Sequence, residues 1–382
     1  MKFLIIHNVY SRSGGEEGVV RMQQHVLESH GHTVLRYERR HGEVSKIASF
    51  FTAIYNPRSV RDIRRICLSE KPDAAIIHNL FPVISAAVIA ELKLHNIKVS
   101  MTLHNYRLIC PNGLFYTNGQ VCEQCGASKS VIPCIKKRCE GSLAGSVAWA
   151  MRSFFAKKYF KKVDTFLALT DFQRGKLLEY TDIAAERIAI IPNCIELGDC
   201  HKSQITTDDN LRDTKEENQL CWLNHNYIGF VGRLSPEKGI KLLFQIARLL
   251  PQKQFKVAGE KADNFSMRDM PENIELLGFL NKEELAKFYA RADKIVSTSS
   301  CYETFPLAVI EAMYHNATVV VPQWAAFPAI VGDCGVLYKP NCTTDLAAKL
   351  MQKYDFQDKP HRRVVENYNT EQYYTNIMRS IE

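Results

Sequence analysis

Ser297 to Val321 reads STSSCYETFPLAVIEAMYHNATVVV, a polar loop and a helix set between two short apolar runs. Lys294 to Thr298 reads as a buried strand, and the helix follows from about Pro306 to Tyr314, with Leu307, Ile310 and Met313 on one face. Thr304 is a candidate cap, and Pro306 suits a first helical turn, where an N–H would lack a partner anyway. The free N–H groups of that turn favour an anion. Glu303 lies in the loop before them and Glu311 about a turn and a half inside. Each carboxylate can accept hydrogen bonds from two neighbouring hydroxyls, as a ribose or a hexose presents them. The arrangement points to a site for a phosphorylated, hydroxyl-rich ligand, although most glutamates are solvated surface residues and the spacing alone does not outweigh that reading.

The run E-T-F-P-L-A-V-I-E-A-M, Glu303 to Met313, resembles the E-x7-E signature of retaining GT-B glycosyltransferases, specifically family 4. The resemblance implies that Glu303 approaches the hydroxyls of the donor sugar and that Glu311 holds the ribose of the nucleotide. Phe305, Pro306 and Leu307 would then belong to the donor site. The pattern departs after the helix, where the family usually has G-x-P-V and this chain has Asn316-Ala317-Thr318-Val319.

A chain of 382 residues with 46% hydrophobic and 24% charged residues has the balance of a folded, soluble protein, and its length suits two domains better than one. No apolar run reaches the length of a membrane span, and Met1 to His7 is too short an apolar segment for a signal peptide, so a cytosolic chain is expected. Twelve cysteines in a reducing compartment are thiols or metal ligands before they are disulfides. A net charge of +8 suits an anionic partner, whether a membrane surface, a nucleic acid or phosphorylated substrates.

Lys2 to His7 reads as a β-rich apolar strand running into a polar loop with Gly14-Gly15, and then into a helix with Val19, Met22, Val26 and Leu27 inward. Such glycines let backbone approach a ligand closely, or simply make a turn. The family resemblance favours the ligand, because many members carry a Gly-Gly pair near the donor sugar or acceptor. Strands at Thr33–Tyr37, Ala74–His78 and Lys98–Leu103 alternate with helical segments, which implies a parallel, doubly wound sheet. Ligands sit beyond the C-terminal strand ends of such sheets, and His104 stands there. A hydrogen-bonded loop histidine is the plainer reading; in family 4 a histidine after this strand borders the reacting sugar, which makes His104 a catalytic candidate.

Between Asn105 and Gly141 an insertion carries Cys110, Cys122, Cys125, Cys134 and Cys139. Cys110, Cys122, Cys125 and Cys139 could close a tetrahedral structural zinc site; free thiols, or a disulfide formed on oxidation, are the alternatives. H-N-Y-R-L-I-C-P-N-G followed by C-x2-C resembles a subgroup of bacterial family 4 enzymes of surface-polysaccharide synthesis. A helix from Leu143 to Lys162 sets Trp149, Phe154, Phe155, Tyr159 and Phe160 among Arg152, Lys157, Lys158, Lys161 and Lys162. Most such helices bury their aromatics and solvate their lysines, but Arg58, Arg61, Arg64, Arg65 and Lys136-Lys137-Arg138 in the same half support an anionic membrane surface. Thr165–Leu169 and Arg187–Ile191 supply later strands, and Ile191 to Glu196 resembles the family's interdomain I-P-N-G segment with Cys194 in place of Gly.

Polar residues 199–226 mark a linker, with an acceptor-side domain over 1–198 and a nucleotide-sugar domain over 227–368. Tyr227 to Gly239 reads as strand, loop and helix start, and Arg233 and Lys238 there match the family's G-R-x-x-x-x-K-G. A cationic pair beside a helix N-terminus is a reasonable diphosphate clamp. Strands at Phe255–Ala258, Ile274–Leu277 and Thr318–Val321 continue the series, and Gly278-Phe279-Leu280 resembles the segment that edges the nucleobase. The family pattern implies that a last helix, about Asn369–Ser380 within residues 369–382, crosses back to the first domain.

Together these features imply an α/β protein of GT-B type, two Rossmann-like domains facing across a cleft. It would move a sugar from a UDP- or GDP-linked donor to a glycan or polyprenyl-diphosphate-linked acceptor, with retention at the anomeric carbon, at the inner face of the membrane. No Asp-x-Asp occurs in the chain, which argues against a metal-chelating transferase; no catalytic metal is expected, and Arg233, Lys238 and helix N–H groups are left to stabilise the leaving diphosphate. A nucleic-acid or regulatory binding protein would leave Glu303 and Glu311 unexplained, and no nucleic-acid module is recognisable, so no nucleic-acid partner is expected. An epimerase or phosphorylase of the same fold is the nearer rival.

Overall fold

The computed structural model describes residues 1–9, 15–40, 51–52, 54–196, 226–262, 265 and 268–381. They form two compact units, Met1–Cys194 with Cys301–Phe305 and Thr370–Glu382, and Ile195–Ser300 with Pro306–Asn369.

In the first unit β1 (Lys2–Val9), β2 (Thr33–Arg40), β3 (Ala74–Asn79) and β4 (Lys98–Thr102) are followed by a small hairpin of β5 (Tyr116–Thr117) and β6 (Gln120–Val121), and then by β7 (Thr165–Ala168) and β8 (Ile188–Ile190). All but the hairpin form one sheet in the order β2-β1-β3-β4-β7-β8, parallel throughout. Phe3 to Ile6 and Ala74 to Ile77 are fully or almost fully buried, because helices cover both faces of the sheet and each strand must be apolar on both sides. The strand order reverses between β1 and β3, and the pairing there slips, so that Ile6 faces Ile77 but His7 faces Asn79. The slip turns the polar ends of both strands, His7 and His78-Asn79, into the crevice that opens at such a reversal.

The second unit repeats the design with β9 (Tyr227–Val231), β10 (Phe255–Ala258), β11 (Ile274–Gly278), β12 (Ala292–Val296), β13 (Val319–Pro322) and β14 (Val336–Tyr338), in the order β11-β10-β9-β12-β13-β14. Its reversal lies between β9 and β12. The strand expected over Lys294–Thr298 begins two residues earlier, because backbone pairing with β9 starts at Ala292, directly after the helix Lys282–Arg291. The strand ends at Val296; the Ser297 N–H still donates to the Val320 carbonyl at 3.0 Å, and Thr298 to Ser300 shape the loop beyond it.

The helix Leu143–Phe160 ends before Lys161 and is capped by Ser142, whose hydroxyl accepts from the Gly145 N–H. Its aromatics divide: Phe160, Trp149 and Tyr159 pack against the core, and Phe154 does not. Ser146, Ala150, Arg152, Ala156 and Phe160 are buried, whereas Phe154 is 62% exposed beside the exposed Lys157 and Lys158. Of the basic residues expected to be free on this unit, Arg64 is engaged, its guanidinium forking onto both oxygens of buried Glu91 at 2.7 and 3.0 Å. The C-terminal helix, Thr370–Ile381, packs Tyr373, Ile377 and Ile381 with Phe3, Ala74 and Ile76 in the first unit's core. Among the described residues no helix is long and apolar enough to cross a membrane.

Gly239 ends the loop after β9 with a left-handed φ of 75° and caps the helix Ile240–Leu249. A Cβ there would stand 1.7 Å from the Thr298 carbonyl oxygen. Gly239→Ala should therefore combine backbone strain with a clash against main chain, lowering unfolding free energy of this unit by roughly 2–4 kcal/mol; a denaturant titration that leaves the midpoint unchanged would contradict the packing described.

Candidate functional site

In the second unit, the loop Gly232–Gly239 lies across the end of β12. The Ser300 N–H donates to the Glu237 carbonyl at 2.9 Å, and the Thr298 hydroxyl donates to the Lys238 carbonyl at 2.9 Å. Arg233 donates through Nη2 to Glu237 Oε1 at 2.6 Å, and Ser235 donates to the same oxygen at 2.7 Å. Burial alone would raise the Glu237 carboxyl, but the hydrogen bonds from Ser235, its own backbone and Arg233 hold it below its ordinary value. Glu237 thus stays charged and aims an exposed guanidinium. At the neighbouring strand end Gly259 has φ 143°, and a Cβ on it would stand 2.0 Å from the Gly232 carbonyl oxygen. Two main-chain loops meet here with no room for a side chain at Gly239 or Gly259.

The helix with the second glutamate runs Leu307–Tyr314, with Pro306 at its N-cap and no side-chain cap. The cap expected from Thr304 is not made: its hydroxyl donates instead to the His104 carbonyl at 3.0 Å, because Cys301–Phe305 pack within the first unit. Tyr302 in the same segment donates to Glu123 at 2.9 Å, and the Tyr106 hydroxyl reaches the Glu303 carbonyl at 3.5 Å. Glu303 and Phe305 are accordingly counted with the first unit, and Pro306, Leu307 and Glu311 with the second. Glu311 accepts from the hydroxyl of buried Tyr289 at 2.9 Å. Burial pushes its carboxyl up, while the Tyr289 hydroxyl and the Lys282 charge pull it down. Phe279 follows Gly278, whose φ is 72°, and stands 68% exposed with its ring face open for stacking.

In the first unit His104 is half-buried, and its ring nitrogen Nε2 lies 2.8 Å from Nδ1 of His78. Burial lowers it to about 4, so it is neutral near pH 7. Around it are polar atoms buried without a hydrogen-bond partner among the described residues: both ring nitrogens of His7, Oε2 of Glu16, and Nε and Nη1 of Arg107. Burial raises the Glu16 carboxyl against the pull of Arg107 and His7. The Arg107 guanidinium also lies 3.9 Å over the Trp149 ring. Gly15 opens the helix that carries Glu16, whereas Gly14 lies outside the described residues. Sequence reasoning missed Glu16, His7, His78, Tyr289 and Glu237. The two glutamates directly after Gly14-Gly15, and a histidine on each strand flanking the reversal, were the available signals.

The cysteines of the insertion do not fit the zinc site expected of Cys110, Cys122, Cys125 and Cys139. Among the described residues no group of three or more His, Cys, Asp or Glu side chains could hold a metal ion. The thiols are spent on other partners: Cys110 donates to Asn112 Oδ1 at 3.0 Å, Lys137 donates to Cys122 at 3.4 Å, and Cys139 is hydrogen-bonded to Cys134. The insertion is instead held by a small apolar cluster of Tyr106, Cys110 and Phe115 against Ile109, Phe172, Tyr180 and Tyr302.

Two family models match in succession, glycosyltransferase family 4 over residues 14–199 and glycosyl transferases group 1 over residues 225–355. This chain belongs to the family 4 glycosyltransferases, with the GT-B fold. An uncharacterised 42.6 kDa protein in the cps region of Klebsiella pneumoniae is 27% identical over 72% of the chain and 64% of that protein. The O-antigen chain mannosyltransferase B of Escherichia coli is 26% identical over 52% of the chain and 53% of that protein. The chain thus spans less than two thirds of the length of these relatives. Among solved structures, sucrose-phosphate synthase from Thermosynechococcus elongatus superposes with a TM-score of 0.70 at 16% identity, over 99% of this chain and 97% of that one. Anabaena HepE, solved with UDP and glucose, does so with a TM-score of 0.65 at 15% identity, over 100% and 99%. At such identities the likeness is one of fold.

The hydroxyl of Tyr289 holds the Glu311 carboxyl in place; with Glu311 as the ribose acceptor that the family resemblance implies, Tyr289→Phe should weaken UDP binding about three- to tenfold, the worth of one ordinary hydrogen bond. Glu311→Ala should weaken it further. Calorimetric titration checks both, and an unchanged affinity in the Glu311 variant would remove that residue from the site.

Proposed function

We propose that this glycosyltransferase takes a sugar from a UDP- or GDP-linked donor and transfers it, with retention at the anomeric carbon, to a glycan or polyprenyl-diphosphate-linked acceptor in surface-polysaccharide synthesis. The observation that carries the reading is the loop Gly232–Gly239, which sets Arg233 and Lys238 at the sheet's reversal point with main chain packed too tightly for any side chain at Gly239 or Gly259. Such a site suits a diphosphate: the guanidinium forks onto two phosphate oxygens, and the ammonium acts as a point charge. Glu311 accepts from the ribose hydroxyls, Phe279 stacks on the base, and Glu303 and neutral His104 meet the sugar. HepE was solved with UDP and with UDP-glucose, and the O-antigen relative is named a mannosyltransferase, which supports a nucleotide-sugar donor and a polysaccharide product.

As the sugar's bond to phosphate lengthens, negative charge grows on the leaving diphosphate, and Arg233 and Lys238 stabilise it more in the transition state than before it. The departing phosphate oxygen takes the acceptor's proton on the same face, which gives retention without a protein nucleophile. Arg233→Ala and Lys238→Ala should each cost on the order of 10² in kcat, with nucleoside affinity much less affected. Screening UDP-, GDP- and ADP-sugars by thermal stabilisation finds the donor first; near-normal turnover by either variant would end the clamp assignment.

The acceptor-side unit also offers a surface for anionic lipid. Phe154 is exposed, and Lys157, Lys158, Lys161 and Lys162 surround the same helix end, each worth about 1 kcal/mol beside an anionic leaflet. The protein should sediment with anionic vesicles at low salt and be released as ionic strength rises. Changing the four lysines together to Gln should abolish sedimentation and leave nucleotide affinity intact. Wild-type protein that ignores vesicles at every salt concentration would favour a soluble acceptor.

A further inference from the structure

Behind His104 runs a row of buried side chains, all within the first unit, that the proposed reaction has not yet used. His78 is 3% exposed, and its ring stacks on that of His104 with centroids 5.1 Å apart and Nδ1 2.8 Å from His104 Nε2. On its other side His78 Nε2 lies 2.7 Å from Oε1 of Gln23, which is fully buried in the helix Gly15–Ser29. Gln23 in turn donates through Nε2 to the hydroxyl of Tyr373, 2.9 Å away on the C-terminal helix. Four residues distant in sequence thus make one continuous path, and none of its inner members reaches solvent.

The direction of that path follows from what each atom can do. The Gln23 amide nitrogen is given to Tyr373, so its carbonyl faces His78 and can only accept. His78 therefore carries its proton on Nε2. Burial among His104, His7 and the strand ends keeps His78 neutral, so its Nδ1 is bare and must accept. The proton between the two rings then belongs to His104 Nε2, and neutral His104 is left with a bare Nδ1. Turning the Gln23 amide over would reverse every bond in the row and put the proton on Nδ1 instead. We propose that Tyr373, Gln23 and His78 are positioning residues that hold His104 as its Nε2–H tautomer, leaving Nδ1 as the acceptor for a hydroxyl of the bound sugar. The inference rests on the reading that His104 meets that sugar, but the row itself can be tested without it.

Long-range proton–nitrogen correlation on the full chain labelled with ¹⁵N-histidine, without ligand at pH 7, reports which ring nitrogen carries the proton; His104→Gln assigns the signals. Wild type should show His104 protonated at Nε2. Gln23→Met, which keeps volume but removes the carbonyl, should give a mixture of tautomers, and Tyr373→Phe, which frees the amide to turn, should move it the same way. With UDP-glucose or GDP-mannose, whichever wild type hydrolyses, Gln23→Met should lose about tenfold in kcat, equivalent to one hydrogen bond, with UDP affinity within twofold. His104 protonated at Nδ1 in wild type, or held as Nε2–H in both variants, overturns the row. A tautomer that shifts with no change in kcat upholds the row and overturns the contact between His104 and the sugar. Should Gln23→Met fail to fold, the Tyr373→Phe spectrum decides alone.

Discussion

The α-carbon of Gly239 is pressed so closely onto the Thr298 carbonyl that no side chain fits between them. That contact fixes the second unit's site. It brings the loop from β9 onto the end of β12, where the sheet reverses, and lets Thr298 and Ser300 take up the loop's carbonyls. A loop held this way has Arg233 and Lys238 placed by main-chain packing, the preorganised charge on which the proposed diphosphate site rests. Glu237 completes the arrangement by bonding Arg233 from below. Without the glycine the loop would stand off the sheet, and Arg233 and Lys238 would be ordinary surface cations.

The first unit handles the same problem with different material. Its reversal point is lined by ionisable side chains instead of tightly packed main chain: His7, Glu16, His78, His104 and Arg107. Burial disfavours charge on the histidines and raises Glu16, so the crevice sets groups that donate and accept hydrogen bonds beside the Arg107 guanidinium. Such a lining suits hydroxyl-rich sugars, whose recognition depends on matching donors to acceptors more than on charge. Among the described residues, buried polar atoms of His7, Glu16 and Arg107 lack a hydrogen-bond partner there.

In the cysteine-rich insertion, Cys110 donates to Asn112 and packs with Tyr106 and Phe115 in a small apolar cluster, while Lys137 donates to Cys122. The helix Leu143–Phe160 divides its aromatics: Trp149, Tyr159 and Phe160 pack against the first unit's core while Phe154 is exposed, and the Arg107 and Arg152 guanidinium groups lie 3.9 and 4.6 Å over the Trp149 ring.

Much of the design was legible in the chain. Continuous apolar strands alternating with helical periodicity implied two parallel sheets, since only strands covered on both faces read that way. The E-x7-E run and G-R-x-x-x-x-K-G marked Glu303, Glu311, Arg233 and Lys238 as candidates because each motif lies within one short stretch, where sequence spacing translates directly into distance. What tertiary structure alone decided were partnerships between remote segments: Tyr289 with Glu311, His78 with His104, Gln23 with Tyr373. Of these, each of Tyr289, His78, Gln23 and Tyr373 reads as an unremarkable helix or strand residue. Its role comes from hydrogen bonding across the fold, which depends on where strands end and how sheets reverse, and local sequence encodes neither.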